Sequence, residues 1–343
     1  MKQAISLAWA LGLALLLAAC ARFTPAGEQP PLPHLTQVRA CTSSMSMLST
    51  ISAYARKHGL FAKHGLDVSL LAIAGGPEAT VALIAGDADL CEIAGPAVVN
   101  AALAGEDLVM VAGYGNRLAH WLIVRPEIGQ AADLQGKVVA VSSPGSSSDT
   151  ALRIMLQALG LQPDVDVTIV AVGGNPERLA AMASGQVAGA MMSLPESARA
   201  ESMGYRVLMA PNAIDMAYQP TAVVTKRAYL AQNRAAVAGY VAAVTEAIAR
   251  MKADQTGAEE VMVAELAMDP VTDAAVIDVV YQQFFHDYLP DKPYLALAGV
   301  QFLIDTARQE NPTARPLRAA EISDATIVEE LDQSGFIDAL YAR

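Results

Sequence analysis

The sequence predicts an α/β protein built from two similar lobes. Two observations lead to this prediction: an internal repeat that alternates strands and helices, and a change to helices alone toward the carboxyl end. The chain has 343 residues, of which 53% are hydrophobic and 17% are charged. That length suits about two domains, and that composition can bury a large core.

The repeat is a strand, a glycine turn, a helix and a second strand. Residues 67–96 align without gaps on residues 166–195, an offset of 99, and nine of the 30 positions are identical. In the first copy, the apolar run 68–73 has the length of a parallel strand buried on both faces. Gly75 lies in the turn, and Gly86 is suited to end the helix. Each copy therefore predicts one strand–helix–strand unit.

A further strand and helix precede each copy. Residues 38–41 and the helical pattern 47–58 come before the first, and residues 137–141 and the helical pattern 147–159 before the second. Alternation of this kind is typical of a mostly parallel sheet flanked by helices. The chain therefore predicts two such sheets.

The pattern changes after residue 224. Helices are expected at residues 234–251, 257–267, 272–286, 294–309 and 325–341. Without strands these helices cannot form a third lobe, so we expect them to pack on one of the two lobes, the first.

The amino-terminal residues predict export. Lys2 precedes the uncharged apolar run 4–17, which is shorter than the 20 or so residues that span a membrane. Residues 1–19 therefore resemble a secretory signal peptide. The small residues before Cys20 also resemble a bacterial lipobox, in which this cysteine is lipidated. The proline-rich residues 20–35 are expected to form a tether, so that lipid alone holds the protein at the membrane.

Charge and motifs exclude several function classes. The net charge is −12, which disfavours nucleic acids and anionic membrane surfaces as partners. The three cysteines have no CxxC spacing, and no GxSxG, P-loop or GxGxxG pattern opens a strand–helix pair. We therefore expect no catalytic residues, no metal site and no cofactor.

The loops after the strands are the candidate ligand site, because ligands of open α/β sheets bind beyond the carboxyl ends of the strands. Residues 142–149 contain five serines and open a helix, whose free N–H groups suit an oxyanion. The alternative is that the serines only form a solvated, capped loop. Asp149 could cap the helix or meet a ligand ammonium group.

Four segments carry a resemblance to a known family. They are ARKHGLFAKHGLDV at 55–68, ALIAGDAD at 82–89, DLQGKVVAV at 133–141 and LAAMASGQV at 179–187. They resemble the type II periplasmic solute-binding proteins of ABC importers. More narrowly, they are similar to two groups of these proteins: those that bind nitrate, taurine and aliphatic sulfonates, and those that bind pyrimidine precursors of thiamine. The resemblance covers about residues 38–224.

The resemblance implies a two-lobed fold with the ligand between the lobes. Residues 36–124 and 221–343 would form lobe one with the helical carboxyl-terminal region, and residues 125–220 would form lobe two. The expected ligand contacts are Ser43, Ser44, Met45, Gly95, Pro96, Ser146, Ser147 and Ser148, with Tyr114, Asn116, Trp121 and Tyr218 near the hinge. Asn175 is a further expected contact, because it lies in the loop after the first strand of the second repeat copy. The resemblance also places Cys41 and Cys91 in adjacent strands, as a disulfide or as two buried thiols.

The resulting expectation is a monomeric, exported, lipid-anchored solute-binding protein that is not an enzyme. It would capture a small polar organic ligand, a monoanion or zwitterion such as a sulfonate, a carboxylate or a pyrimidine-like molecule, and deliver it to an ABC permease. Two alternatives stay open. One is an enzyme on the same fold, such as a dehydratase or pyrimidine synthase; the other is a ligand-sensing lipoprotein without a permease.

Overall fold

The computed structural model describes residues 35–73 and 75–342. The predicted signal peptide 1–19, Cys20 and the tether up to residue 34 lie outside the described residues. Within the described part of the chain, none of the helices has the length and apolar character needed to cross a membrane.

The described residues form two five-stranded sheets. The strands are β1 Thr36–Thr42, β2 Leu66–Ala72, β3 Leu90–Ala94, β4 Leu108–Gly113, β5 Trp121–Val124, β6 Lys137–Val141, β7 Val167–Ala171, β8 Gly189–Met192, β9 Arg206–Met209 and β10 Thr221–Lys226. Their order is β2-β1-β3-β10-β4 in the first sheet and β7-β6-β8-β5-β9 in the second. The two orders are equivalent, as the internal repeat predicts, and β10 and β5 are the antiparallel strands in each.

Helices flank both sheets. They are α1 Ser49–Lys57, α2 Leu60–Lys63, α3 Gly76–Ala85, α4 Gly95–Leu103, α5 Ser147–Ala158, α6 Asn175–Ala183, α7 Glu196–Ser202, α8 Arg227–Gln232, α9 Arg234–Ala253, α10 Gln255–Glu265, α11 Ala274–Tyr281, α12 Leu297–Glu310, α13 Thr326–Gln333 and α14 Phe336–Tyr341. A π-helical turn, Gln282–Tyr288, continues α11. The predicted two-lobed α/β fold is confirmed.

The carboxyl-terminal helices pack on the first sheet and its helices, as expected. Helix α9 lies against α1 and α2, and α12 lies against α4. Helix α11 also reaches the second lobe, where Asp273 just before it accepts a 2.8 Å hydrogen bond from Arg199 of α7. The single last helix predicted at 325–341 is in fact two, because Gly335 adopts a left-handed φ of 76° between them.

Strand β5 differs from its expected position. It pairs with β8 and β9 and so belongs to the second sheet, whereas the expected division placed residues 121–124 in lobe one. A division by sheets would move this strand into lobe two, since β5 carries the chain into the second sheet and β10 returns it to the first. The division 36–124 and 221–343 against 125–220 otherwise stays a prediction.

The pairing left open for the cysteines is a disulfide. Strands β1 and β3 are parallel neighbours, and their register sets Cys41 directly beside Cys91. The two sulfur atoms are bonded, and both residues are completely buried. The bond closes a loop with a sequence separation of 50 and ties together two strands of the first sheet.

Glu92 of β3 is a buried carboxylate beneath the loop that follows β1. Its Oε1 accepts hydrogen bonds from the hydroxyls of Tyr114 at 3.1 Å and Tyr240 at 2.9 Å, and its Oε2 accepts one from Ser52 at 3.3 Å. Burial raises the pKa of Glu92 to about 7, although these three hydrogen bonds act to lower it. The folded chain therefore holds a proton here that the unfolded chain releases near pH 4.5.

Replacing Glu92 with glutamine is expected to remove a pH dependence of stability. Because the folded pKa is raised, the stabilisation is complete below about pH 4.5 and is lost as the pH rises through about 7. Over that interval the wild type should lose roughly 3 kcal/mol of unfolding free energy relative to Glu92→Gln. Urea unfolding at several pH values measures the difference. The exposed control Glu106→Gln should follow the wild type, and parallel curves for Glu92→Gln and wild type would contradict the assignment.

Candidate functional site

A cavity of about 340 Å³ lies between the two lobes, where the loops after the strands meet. Both sheets contribute to it, because the carboxyl ends of their parallel strands face the same space. Seven of the predicted contact residues line it: Ser43, Ser44, Met45, Ser146, Ser147, Ser148 and Asn175. The first three come from the loop after β1, and the others from the starts of α5 and α6.

The serine loop before α5 is held by its own hydroxyls. Ser146 is the N-cap, and its Oγ accepts a hydrogen bond from the Asp149 N–H at 3.3 Å. The hydroxyl of Ser148 lies 3.0 Å from that of Ser146 and 2.9 Å from that of Ser142. Ser146 and Ser148 are buried, whereas Ser147 is partly exposed to the cavity. The loop is thus a capped helix start, and four of its five serines line the cavity.

Asp149 caps the loop rather than facing a ligand. Its Oδ2 accepts a 2.8 Å hydrogen bond from the Gly145 N–H, and its Oδ1 accepts one from Arg153 Nε at 2.9 Å. The charge of Asp149 is therefore compensated within its own helix. It does not oppose an anion in the cavity.

Arg178 is the principal cation of this cavity, and the sequence analysis did not identify it. It lies in the first turn of α6 and is only 3% exposed. Its guanidinium donates to the Gly173 carbonyl at 3.0 Å and to the side-chain oxygen of Asn175, and reaches Ser148 Oγ at 3.5 Å. Its Nε is buried without a hydrogen-bond partner among the described residues.

The charge of Arg178 is only partly compensated, because the carboxylates of Glu196 and Glu177 act on it from beyond salt-bridge distance. Within the described residues it forms no salt bridge; the nearby Glu196 instead lies 3.8 Å from Arg199. Burial lowers the pKa of Arg178 to about 10, so the side chain is still cationic at neutral pH. A buried cation without a paired anion is costly, and an anionic ligand would relieve that cost.

His120 adds an uncharged polar group to the same wall. Burial, together with the nearby charge of Arg178, lowers the pKa of His120 to about 3. The imidazole is therefore neutral at physiological pH. Its Nδ1 is buried and has no hydrogen-bond partner among the described residues.

Five other predicted contacts do not line this cavity: Gly95, Pro96, Tyr114, Asn116 and Tyr218. Gly95 serves packing, since a Cβ there would lie 2.2 Å from the Gln219 carbonyl oxygen, and Pro96 lies in the first turn of α4. The Tyr114 hydroxyl donates a hydrogen bond to Glu92, and Tyr218 is fully buried. Asn116 is exposed and accepts a backbone hydrogen bond from Tyr218 at 2.9 Å.

Trp121 lines a second cavity, of about 630 Å³. This cavity adjoins the first, and four residues line both: Ser46, Leu48, Ala119 and Ser193. Trp121 is thus adjacent to the inter-lobe cavity but does not lie in its wall.

One feature of the sequence could have identified Arg178. At the offset of 99, Glu177 and Arg178 align with Glu78 and Ala79, so the cation distinguishes the second copy from the first. A positive charge in the first turn of a helix is unfavourable because the amino-terminal end is itself positive. Such a residue indicates a local partner or a ligand.

No group of three or more histidine, cysteine, aspartate or glutamate side chains among residues 35–73 and 75–342 is arranged to hold a metal ion. The polar groups of the cavity are hydroxyls, an amide, one guanidinium, an imidazole and, at its exposed wall, the carboxylate of Glu177. The guanidinium, the hydroxyls and the amide suit an anion or a neutral polar molecule, and the carboxylate suits an ammonium group.

Comparison with known sequences gives one family and a group of relatives. A model of the family described as NMT1/THI5 like matches residues 49–258. A curated protein of Brucella abortus (strain 2308), provisionally named as a binding protein, is 29% identical over 206 residues, which cover 58% of this chain. Those residues span 62% of that relative's length. Its name assigns no ligand.

Comparison with solved structures supports the fold. The periplasmic aliphatic sulphonate binding protein SsuA from Escherichia coli superposes with a TM-score of 0.68 and 23% identity, covering 83% of this chain and 91% of that one. The nitrate-binding protein NrtA from Synechocystis PCC 6803 gives a TM-score of 0.69 and 16% identity, covering 88% and 89%. At these low identities, the TM-scores show that the fold is shared.

Proposed function

This chain belongs to the NMT1/THI5-like family, and from that premise we propose that it is a solute-binding protein of the ABC-import type. It captures a small organic monoanion between its lobes. The single observation that carries the proposal is Arg178, a cation that is 3% exposed and faces the cavity without a salt bridge among the described residues.

The surroundings of Arg178 suit one negative charge on an organic molecule. The serine hydroxyls and the amino-terminal ends of α5 and α6 offer hydrogen-bond donors to an oxyanion. One buried cation matches one anionic group, such as a sulfonate or a carboxylate. A zwitterion also fits, with its ammonium group toward Glu177, which is exposed at the cavity wall.

The proposal also includes a role in transport, with export, lipid anchoring and delivery of the ligand to a permease. The signal-like residues 1–19 and the lipobox-like Cys20 support an exported, lipid-anchored protein. The similarity to SsuA and NrtA, both named as periplasmic binding proteins, supports a periplasmic location. Delivery to an ABC permease is supported by the similarity to the ligand-binding component of an ABC-type import system from Staphylococcus aureus. Binding without chemical conversion separates this role from an enzyme on the same fold.

A thermal-shift screen of the full chain tests the proposal. The panel contains small sulfonates, carboxylates, amino acids and pyrimidines. A ligand at 100 times its dissociation constant should stabilise the folded state by about 2.7 kcal/mol and raise the melting temperature. The proposal requires an anion among the hits and its recovery unchanged after incubation; stabilisation by uncharged molecules alone, or conversion of the hit, would contradict it.

Two adjacent serines should differ in how much they stabilise the folded chain, because only one of them caps α5. Ser146→Ala removes the N-cap acceptor of α5 and should lower the unfolding free energy by about 1 kcal/mol. Ser147→Ala removes a hydroxyl that does not cap the helix, so it should change stability by less than about 0.5 kcal/mol. Urea unfolding of the two variants measures this. Equal losses would show that Ser146 does not act as the cap.

A further inference from the structure

The second cavity differs in chemistry from the first. Its floor is apolar and buried, with Met47, Leu118, Leu194 and Phe284 each at most 5% exposed. Its charged and amide side chains lie at the exposed rim: Arg117, Asn212, Gln283, His286 and Asp287. Ser46 and Ser193 are the polar residues on the side toward the first cavity. An apolar floor with a polar rim is suited to an apolar group that enters from solvent.

Aromatic rings are concentrated in this second cavity. Only 5% of the chain is aromatic, yet Trp121, Phe284 and Tyr288 all line this one space. The rings of Phe284 and Tyr288 are stacked, with centroids 5.7 Å apart and an angle of 19° between their planes. The guanidinium carbon of Arg117 lies over the Tyr288 ring, 5.9 Å from its centroid. Such a wall favours stacking with a planar ring.

The two cavities meet along a common wall. Ser46, Leu48, Ala119 and Ser193 line both of them. Ser193 also accepts a 2.8 Å hydrogen bond from Asn175, whose side-chain oxygen in turn accepts from Arg178. The cationic end of the first cavity and the aromatic cavity therefore adjoin at these four shared side chains.

We propose that the two cavities form one site for an organic anion that carries a ring-bearing apolar tail. The anionic head contacts Arg178 and the serine loop, and the tail lies against Trp121, Phe284 and Tyr288. This inference rests on the proposed function and narrows its ligand class. Short anions are then weak ligands, since they leave the aromatic cavity to water.

The test compares anions that share a head and differ in the tail. Methanesulfonate and 2-naphthalenesulfonate form one pair, and acetate and 2-naphthoate form a second. Calorimetric titration of the full chain should show the naphthyl anion of at least one pair binding about tenfold more tightly or better. In a Trp9→Phe chain, Trp121 is the one tryptophan, and its emission should change with the naphthyl anion and not with the short one.

Variants identify the tail site. Trp121→Ala should remove most of the difference between the two anions, and Tyr288→Leu, which keeps apolar bulk, provides the same test if the first variant folds poorly. The control Phe336→Ala removes a partly buried ring that lines neither cavity and should keep the difference. If short and naphthyl anions bind equally, the tail site is wrong and the proposed function stands. If no anion of either pair binds, the tail site is wrong, and the thermal-shift panel decides the proposed function separately.

Discussion

Replacing Arg178 with methionine is expected to abolish most of the affinity for anions. The variant keeps the length and apolar bulk of the side chain and removes the charge that the ligand would pair with. Loss of one partner from a buried, hydrogen-bonded charge pair costs about 2–5 kcal/mol, which is about 30-fold or more in dissociation constant. Calorimetric titration with the best anion from the thermal-shift screen measures the loss.

The stability of this variant is the second readout. Arg178 is buried without a salt bridge among the described residues, so methionine also removes a buried charge that Glu196 and Glu177 compensate only in part. The unfolding free energy of the ligand-free variant should therefore fall by no more than about 1 kcal/mol, because removing the buried charge offsets part of the loss of its hydrogen bonds.

A matched control uses an arginine of the same lobe. Arg206 begins β9, is exposed, and lines neither cavity. Arg206→Met changes the net charge by the same amount and should change anion affinity by less than about twofold. Equal losses in the two variants would indicate that overall charge governs binding. Wild-type affinity in Arg178→Met would show that the ligand is not held by this residue.

Local sequence patterns predict the repeated unit well. Gly75 and Gly86 mark the turn and the end of α3, and the equivalent order of strands in the two sheets follows from the repeat at an offset of 99. Strand β5 could not be assigned this way, because an apolar run of four residues does not indicate which sheet it pairs with. That choice depends on contacts with β8 and β9, which lie far along the chain.

The site was only partly predictable for a related reason. The serines before α5 stand out as a run, and the structure does place them at the cavity. Arg178 stands alone in the sequence, and its role depends on burial and on which carboxylates come near it, both of which are tertiary properties. Gly95 and Tyr114 follow strand ends, as the residues that line the cavity do, but both have structural roles. Gly95 packs closely against Gln219, and Tyr114 donates a hydrogen bond to Glu92.

Reduction of the Cys41–Cys91 bond is expected to lower the unfolding free energy by about 4 kcal/mol, because the bond closes a loop with a sequence separation of 50. Urea unfolding of the wild type with and without a reductant isolates the cross-link, since every side chain is retained. The double variant Cys41→Ala with Cys91→Ala is the control and should not respond to the reductant.

Thiol counting checks the pairing independently: the unlipidated full chain has three cysteines, so the unfolded, unreduced chain should show one reactive thiol, that of Cys20. Three reactive thiols there, with equal midpoints in both conditions, would contradict the bond and leave the first sheet held by strand pairing alone.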